Sequence, residues 1–308
     1  MQLRSKTKKQ LVLHSMMLPG AILLIVFNVL PMIGIWMAFS KYQPKYGMGY
    51  FEALFSADYV GFAFFQQIFN RPDFRQVLFN TIYISVVKLV LLIGLGILLS
   101  LLLNEIPFVH LKKGIQVIVF IPYFLSWVIL SSIMIDLLSL DGPINRIIEA
   151  FGGDPVSFQG SNTWFPVVLF VSELWKSLGY QAIYFLAAIT AVSPGLYEAA
   201  EIDGANRVQQ CFHVTLPCIR PIIILMVVLN IGNIMNAGFE QVLALYNSLV
   251  YESGDIIDTM SYRIGLLNTS TFQYSLGTAV GVFKSVICCV LFGASYLFAA
   301  KKLDYEVL

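Results

Sequence analysis

The chain has 308 residues, 58% of them hydrophobic and 12% charged, with a formal net charge of +1. Soluble domains carry about 25% charged residues, so this composition, with a mean hydropathy of +0.77, excludes an ordinary water-soluble globule and points to a membrane. A net charge this small excludes recruitment of nucleic acid by a global field. The four cysteines, Cys211, Cys218, Cys288 and Cys289, have neither disulfide-framework nor zinc-site spacing.

In chain order, residues 1–14 read as a basic cytoplasmic N-terminus carrying Arg4, Lys6, Lys8 and Lys9. The apolar run that follows, Leu18 to Ser40, outruns a signal-peptide core of about 7–15 residues, so it reads as a retained first span. Residues 15–308 form one transmembrane domain, with expected spans at roughly 15–40, 77–103, 114–139, 164–192, 219–245 and 276–300. Each is predicted to be helical, because backbone in lipid must satisfy its own hydrogen bonds. The fold class is therefore all-α, with six transmembrane helices. With both termini inside, ten Lys and Arg fall in cytoplasmic segments and six in outer ones, which follows the positive-inside rule. The stretch Tyr59 to Phe79, with Arg71-Pro72-Asp73 between apolar runs, predicts a short surface helix.

One polar interruption carries a signal. Ser193 to Pro217 sits between the fourth and fifth spans. Pro194 suits a first helical turn, Glu198-Ala199-Ala200-Glu201 favours helix, and Gly204 stops or bends it. A plain capped connector would need no further pattern. Here Glu198-Ala199-Ala200, Gly204, Val214 and Leu216-Pro217 stand at the spacing of the EAA loop of ABC importer permeases, with Val214 where the family has Ile. The chain thus resembles the carbohydrate-uptake branch of that family, and the type I ABC importer permease fold is what the resemblance implies.

The resemblance also implies roles. The loop at about 193–218 couples to a cytoplasmic ATPase through Tyr197, Glu198, Ala199, Ala200, Asp203, Gly204, Ala205, Leu216 and Pro217. Leu102-Leu103-Asn104-Glu105-Ile106, Pro122 to Trp127, and Phe239-Glu240-Gln241-Val242 with Asp258-Thr259 resemble the subgroup that takes up oligosaccharides, including uronate oligomers. Expected partners are a second homologous permease, two ATPase subunits and an extracytoplasmic binding protein, in the bacterial cytoplasmic membrane. No Gly-x-x-x-x-Gly-Lys-Ser/Thr phosphate loop occurs in the chain, so no cofactor is expected on it, and ATP with Mg belongs to the partner ATPase.

A sugar path needs amides, acids and aromatic faces at membrane depth, where polar groups are costly and functional by default. Glu173, Ser177 and Tyr180 share one face of the fourth span by their spacing, and Asn230, Asn233 and Asn236 form a stripe in the fifth. By resemblance to the maltose-type permease, Glu173, Ser177, Tyr180, Asn233 and Asn236 fall on the sugar pocket, although that permease has Asn where this chain has Glu173. Two other readings stand beside it: interhelical glue for the amides, and a structural ion pair between Glu173 and Lys176. Lys88 and Lys284 read as paired or snorkelling residues, and Phe124, Trp127 and Trp164 as packing or interfacial anchors. His14, His110 and His213 are scattered, which leaves a membrane enzyme without a catalytic set. Import of a non-sugar solute by the same mechanism and ion-coupled secondary transport are the remaining alternatives.

Overall fold

A computed structural model describes residues 14–44, 46–267 and 273–302; the basic residues Arg4 to Lys9 lie outside them. Five apolar helical runs among the described residues are long enough to cross a bilayer: His14–Phe39, Phe74–Glu105, Trp127–Ala150, Arg207–Gly232 and Gln273–Lys301. A sixth, Phe165–Thr190, leads across a 69° bend into the short helix Pro194–Ile202. Strands are absent among the described residues apart from one isolated bridge, Ser40 with Tyr59.

The chain divides into two compact units. The first comprises Met1–Arg71 and Ser261–Phe283. Its first-span helix widens to a π turn at Ile25–Val29 and tightens to a 3₁₀ helix over Leu30–Phe39. The apolar side chains of this helix are mostly exposed, as a lipid-facing helix requires. Two short helices follow, Tyr50–Phe55 and Ala63–Phe69. The second lies within the expected 59–79 stretch. Ser275 ties this unit together: its Oγ donates to the Ser40 carbonyl at 2.7 Å and accepts from the Tyr42 amide at 3.0 Å. A Cβ on Gly277 would lie 2.7 Å from the Gly265 Cα, so only glycine allows that approach.

The second unit comprises Pro72–Met260 and Lys284–Leu308. Its frame is the pair of long helices Phe74–Glu105 and Phe165–Thr190. The contacts Tyr83 with Phe170, Lys88 with Glu173, and Gly96 beside Gln181 advance together along both helices. The second and fourth spans therefore run parallel, as they must if one crossing separates them. Ile84, Leu130, Phe165, Leu169, Val242 and Ile256 form the centre of the buried core.

Two expected spans differ from the sequence reading. The third is not one helix over 114–139. Helix Val109–Phe120 passes into a 3₁₀ turn, Ile121–Phe124, and a new helix begins at Trp127, capped by Ser126 Oγ accepting from the Ile129 amide at 3.3 Å. Pro122 is the cause, since it has no N–H to continue the ladder. The fifth span stops at Gly232, and helix resumes only at Phe239–Leu245, after Gly238 with φ of +90°.

Candidate functional site

The segment expected to couple to an ATPase is built by local hydrogen bonds. Helix Pro194–Ile202 ends at Asp203, and Gly204 takes the left-handed conformation with φ of +80°. The Ala205 amide donates to the Ala200 carbonyl at 2.8 Å, and the Gly204 amide to the Glu201 carbonyl at 3.0 Å. These two bonds make a Schellman stop, which satisfies the orphan carbonyls of the last turn. Immediately after it, Asn206 Oδ1 accepts from the Gln209 amide at 2.9 Å, while the Asn206 amide donates to Gln209 Oε1 at 2.8 Å. That capping box starts the next helix at Arg207, with only four residues between it and the end of the last one at Ile202.

Glu198, Ala199, Asp203 and Gly204 are exposed, Tyr197, Ala200 and Ala205 half-buried. Ile202 is 87% exposed. A shallow depression of about 240 Å³ is lined by Ala200, Asp203, Gly204, Ala205 and His213, among others. Tyr197 Oη and Thr215 Oγ1 lie 3.0 Å apart and tie the short helix to the root of the fifth span. That root begins at Arg207, so Val214, Leu216 and Pro217 stand inside a continuous helical run rather than in a connecting loop. Helix resumes early because the capping box satisfies its first amides, and Pro217 falls in the first turn after a π turn at Cys211–Thr215.

The residues expected to line a sugar path are joined by contacts between distant segments. Ser177 Oγ donates to Glu173 Oε1 at 2.7 Å. The other oxygen of Glu173 lies 3.6 Å from Lys88 Nζ. The anticipated Glu173–Lys176 pair does not form: Lys176 donates instead to the carbonyls of Tyr123 (3.2 Å) and Leu125, and stands over the Trp127 ring at 5.3 Å. Those carbonyls are freed by the break in the third span, and an ammonium is the group that satisfies them there. Tyr180 stacks on Tyr123 with ring centroids 4.0 Å apart and touches Tyr184 Oη. Phe124 is 73% exposed, Trp127 packs against the core, and Trp164 meets Phe158 edge-on.

Asn233 and Asn236 are exposed and sit on the unwound turn between Gly232 and Phe239. The Asn236 backbone N–H donates to the Asn233 backbone carbonyl at 2.8 Å. Asn233 Nδ2 donates to the Leu229 carbonyl at 3.2 Å. Asn230 instead faces its own helix, donating to the Met226 carbonyl at 2.7 Å. Lys88, largely buried, donates to the Ala237 carbonyl at 2.7 Å and to Gln241 Oε1. Gln241 in turn donates to the Leu169 carbonyl at 2.8 Å and Ser172 Oγ at 2.7 Å. Lys88 therefore joins the Glu173 group to the turn that carries the asparagines. Lys284 holds the same turn through Asn236 Oδ1 and pairs with both oxygens of Asp258 at 2.7 Å.

Sequence reasoning placed Lys88 and Lys284 within spans and expected either pairing or snorkelling, and named no partners. Gln241 and Asp258 were visible only as part of a resemblance. Their roles lie in contacts across 153 and 26 residues of chain, which no local pattern announces. No group of three or more His, Cys, Asp or Glu side chains suited to a metal occurs among the described residues.

Comparison with known proteins agrees with this architecture. Residues 92–304 match the family described as "Binding-protein-dependent transport system inner membrane component". The polygalacturonan/rhamnogalacturonan transport system permease protein YteP of Bacillus subtilis (strain 168) is 40% identical over 93% of this chain and 87% of its own. Protein LplB of the same organism is 39% identical over 96% of this chain and 90% of its own. A chain of the solved bacterial alginate ABC transporter, in complex with an alginate pentasaccharide-bound periplasmic protein, superposes with a TM-score of 0.88 at 33% identity, covering 100% of both chains. The family match over most of the chain, the full-length relatives and the shared type I ABC permease fold agree, and the protein belongs to the binding-protein-dependent transport system inner membrane components, as a multi-pass permease subunit and not an enzyme.

Proposed function

We propose that this chain is the permease subunit of an ATP-driven importer that carries an oligosaccharide across the bacterial cytoplasmic membrane, with both termini on the cytoplasmic side. The observation that carries this reading is the exposed helix Pro194–Ile202 with its Schellman stop, rigidly tied to the fifth span by Tyr197 and Thr215. A short exposed helix fixed to a span is suited to passing a rigid-body movement from an ATPase to the membrane. The named relatives transport polygalacturonan or rhamnogalacturonan and alginate, which supports a saccharide cargo. ATP and Mg are held by a cytoplasmic ATPase in two copies. A second, homologous permease completes the path, and an extracytoplasmic binding protein delivers the sugar. Residues 193–218 serve as the coupling segment, and Glu173, Ser177, Tyr180, Asn233 and Asn236 line this subunit's share of the path.

The test is ATP hydrolysis by the complete complex in lipid, measured across neutral and acidic oligosaccharides with and without the binding protein. Stimulation by one saccharide class, only with the binding protein present, is expected. Sugar uptake collapsed by an ionophore but indifferent to ATP would assign the chain to secondary transport instead. Asn233→Ala with Asn236→Ala is expected to impair sugar uptake while the ATPase still co-purifies; unchanged uptake would remove the turn from the path.

A further inference from the structure

The unwound turn of the fifth span is held by two ammonium groups from different helices. Lys88, on the second-span helix, binds the Ala237 carbonyl, and Lys284, on helix Gln273–Lys302, binds the side chain of Asn236. The second contact decides the chemistry the turn presents. An ammonium has three donors and no acceptor. The Asn236 oxygen must therefore face Lys284, and the NH₂ group must face away. That NH₂ reaches only Asn233 Oδ1, at 3.4 Å, beyond the usual range of 2.7–3.2 Å, and Asn236 is exposed.

Lys284 is itself fixed. Both oxygens of Asp258 receive it at 2.7 Å, and the two side chains are only 16% and 19% exposed. Asp258 stands on helix Ile257–Tyr262, whose first amide donates to Thr81 Oγ1 of the second-span helix at 2.9 Å. Asn80, next to Thr81, donates to the carbonyls of Glu252 at 2.9 Å and Asp255 at 3.2 Å. The chain of contacts runs from a rigid helix through Asp258 and Lys284 to one amide.

We infer that Lys284 is a positioning residue of the sugar path: it locks the Asn236 amide so that a hydrogen-bond donor, not an acceptor, faces the oxygen atoms of the passing saccharide. This rests on the import reading above. Lys284 itself need not touch the sugar. Asp258 holds Lys284 in place and balances its charge.

Uptake by the complete complex in proteoliposomes, measured against the concentration of sugar-loaded binding protein, tests this. Lys284→Met is expected to raise the half-saturating concentration about tenfold, as loss of one neutral amide hydrogen bond to the sugar implies, with the maximal rate little changed; Lys284→Arg, which keeps a cationic donor, is expected to restore most of it. The double variant Lys284→Met with Asp258→Asn removes both charges. If Lys284 only neutralises Asp258, the double variant recovers and the proposal is overturned. If Lys284 orients Asn236, the double variant remains impaired. A fall in maximal rate at unchanged half-saturation would also overturn it. Should Lys284→Met fail to assemble, the charge-balanced double variant carries the same readout. The wild-type complex separates the two levels: absence of sugar-dependent uptake there refutes the import reading itself.

Discussion

Two left-handed glycines, Gly204 and Gly238, sit in the two regions proposed here to couple and to line the path, and their turns are built in opposite ways. Gly204 has φ of +80° and nothing within 4 Å of the place a Cβ would occupy. Its turn is made by hydrogen bonds between residues at most five apart, in the Schellman stop and the capping box beside it. Gly238 has φ of +90°, and a Cβ there would lie 2.8 Å from Lys88 Nζ. Its turn is held by Lys88 and Lys284, both far away in sequence. The exposed turn is self-sufficient. At the other turn a freed backbone carbonyl, that of Ala237, is satisfied by a charged side chain brought in from another span, and a second lysine fixes the Asn236 side chain. The third-span break follows the second pattern, with Lys176 on the carbonyls of Tyr123 and Leu125.

This contrast is open to direct test. The largest effect is expected from Lys88→Met, which leaves Glu173 and the Ala237 carbonyl without their cation. Breaking one side of a buried ion pair costs about 3–5 kcal/mol, read as a drop in the thermal unfolding temperature of the detergent-purified complex. Adding Glu173→Gln should return part of it. A loss near zero would mean that the fifth-span turn also holds itself. Gly238→Ala should come next: the left-handed conformation alone costs about 1–2 kcal/mol, and the displaced ammonium adds to that. Gly204→Ala should show only the conformational cost and therefore less destabilisation than Gly238→Ala. Equal losses would erase the distinction.

At Gly204 a second effect, on coupling, is expected if the proposed coupling role holds. Gly204→Asp places a negative charge on the exposed turn and should reduce sugar uptake about tenfold, within the usual range of coupling energies, while membrane insertion is retained and the unfolding temperature falls no further than in Gly204→Ala. Normal uptake at normal expression would remove the coupling assignment. The smallest effect is expected from Asn206→Ala. Loss of a helix cap costs about 1 kcal/mol, and hydrogen exchange should quicken only near residues 206–210, without reaching the asparagine turn.

The sequence by itself determined the membrane class, the apolar runs and the helix-and-glycine pattern of the segment from Pro194 to Gly204. Hydropathy is a sum over neighbours in the chain, and the pattern from Glu198 to Pro217 is a set of short-range preferences: a proline at the first turn, helix-forming residues, a glycine at the stop. Each acts within a few residues, so each is legible in order. The tertiary structure alone decided where the third and fifth spans break, which partner each intramembrane lysine takes, and which way the Asn236 amide points. Glu173 and Lys176 are three apart and looked like a pair, yet Glu173 meets Lys88 and Lys176 meets freed carbonyls. A buried charge goes to whatever group most needs it within reach, and that reach is set by the packing of helices, not by distance along the chain.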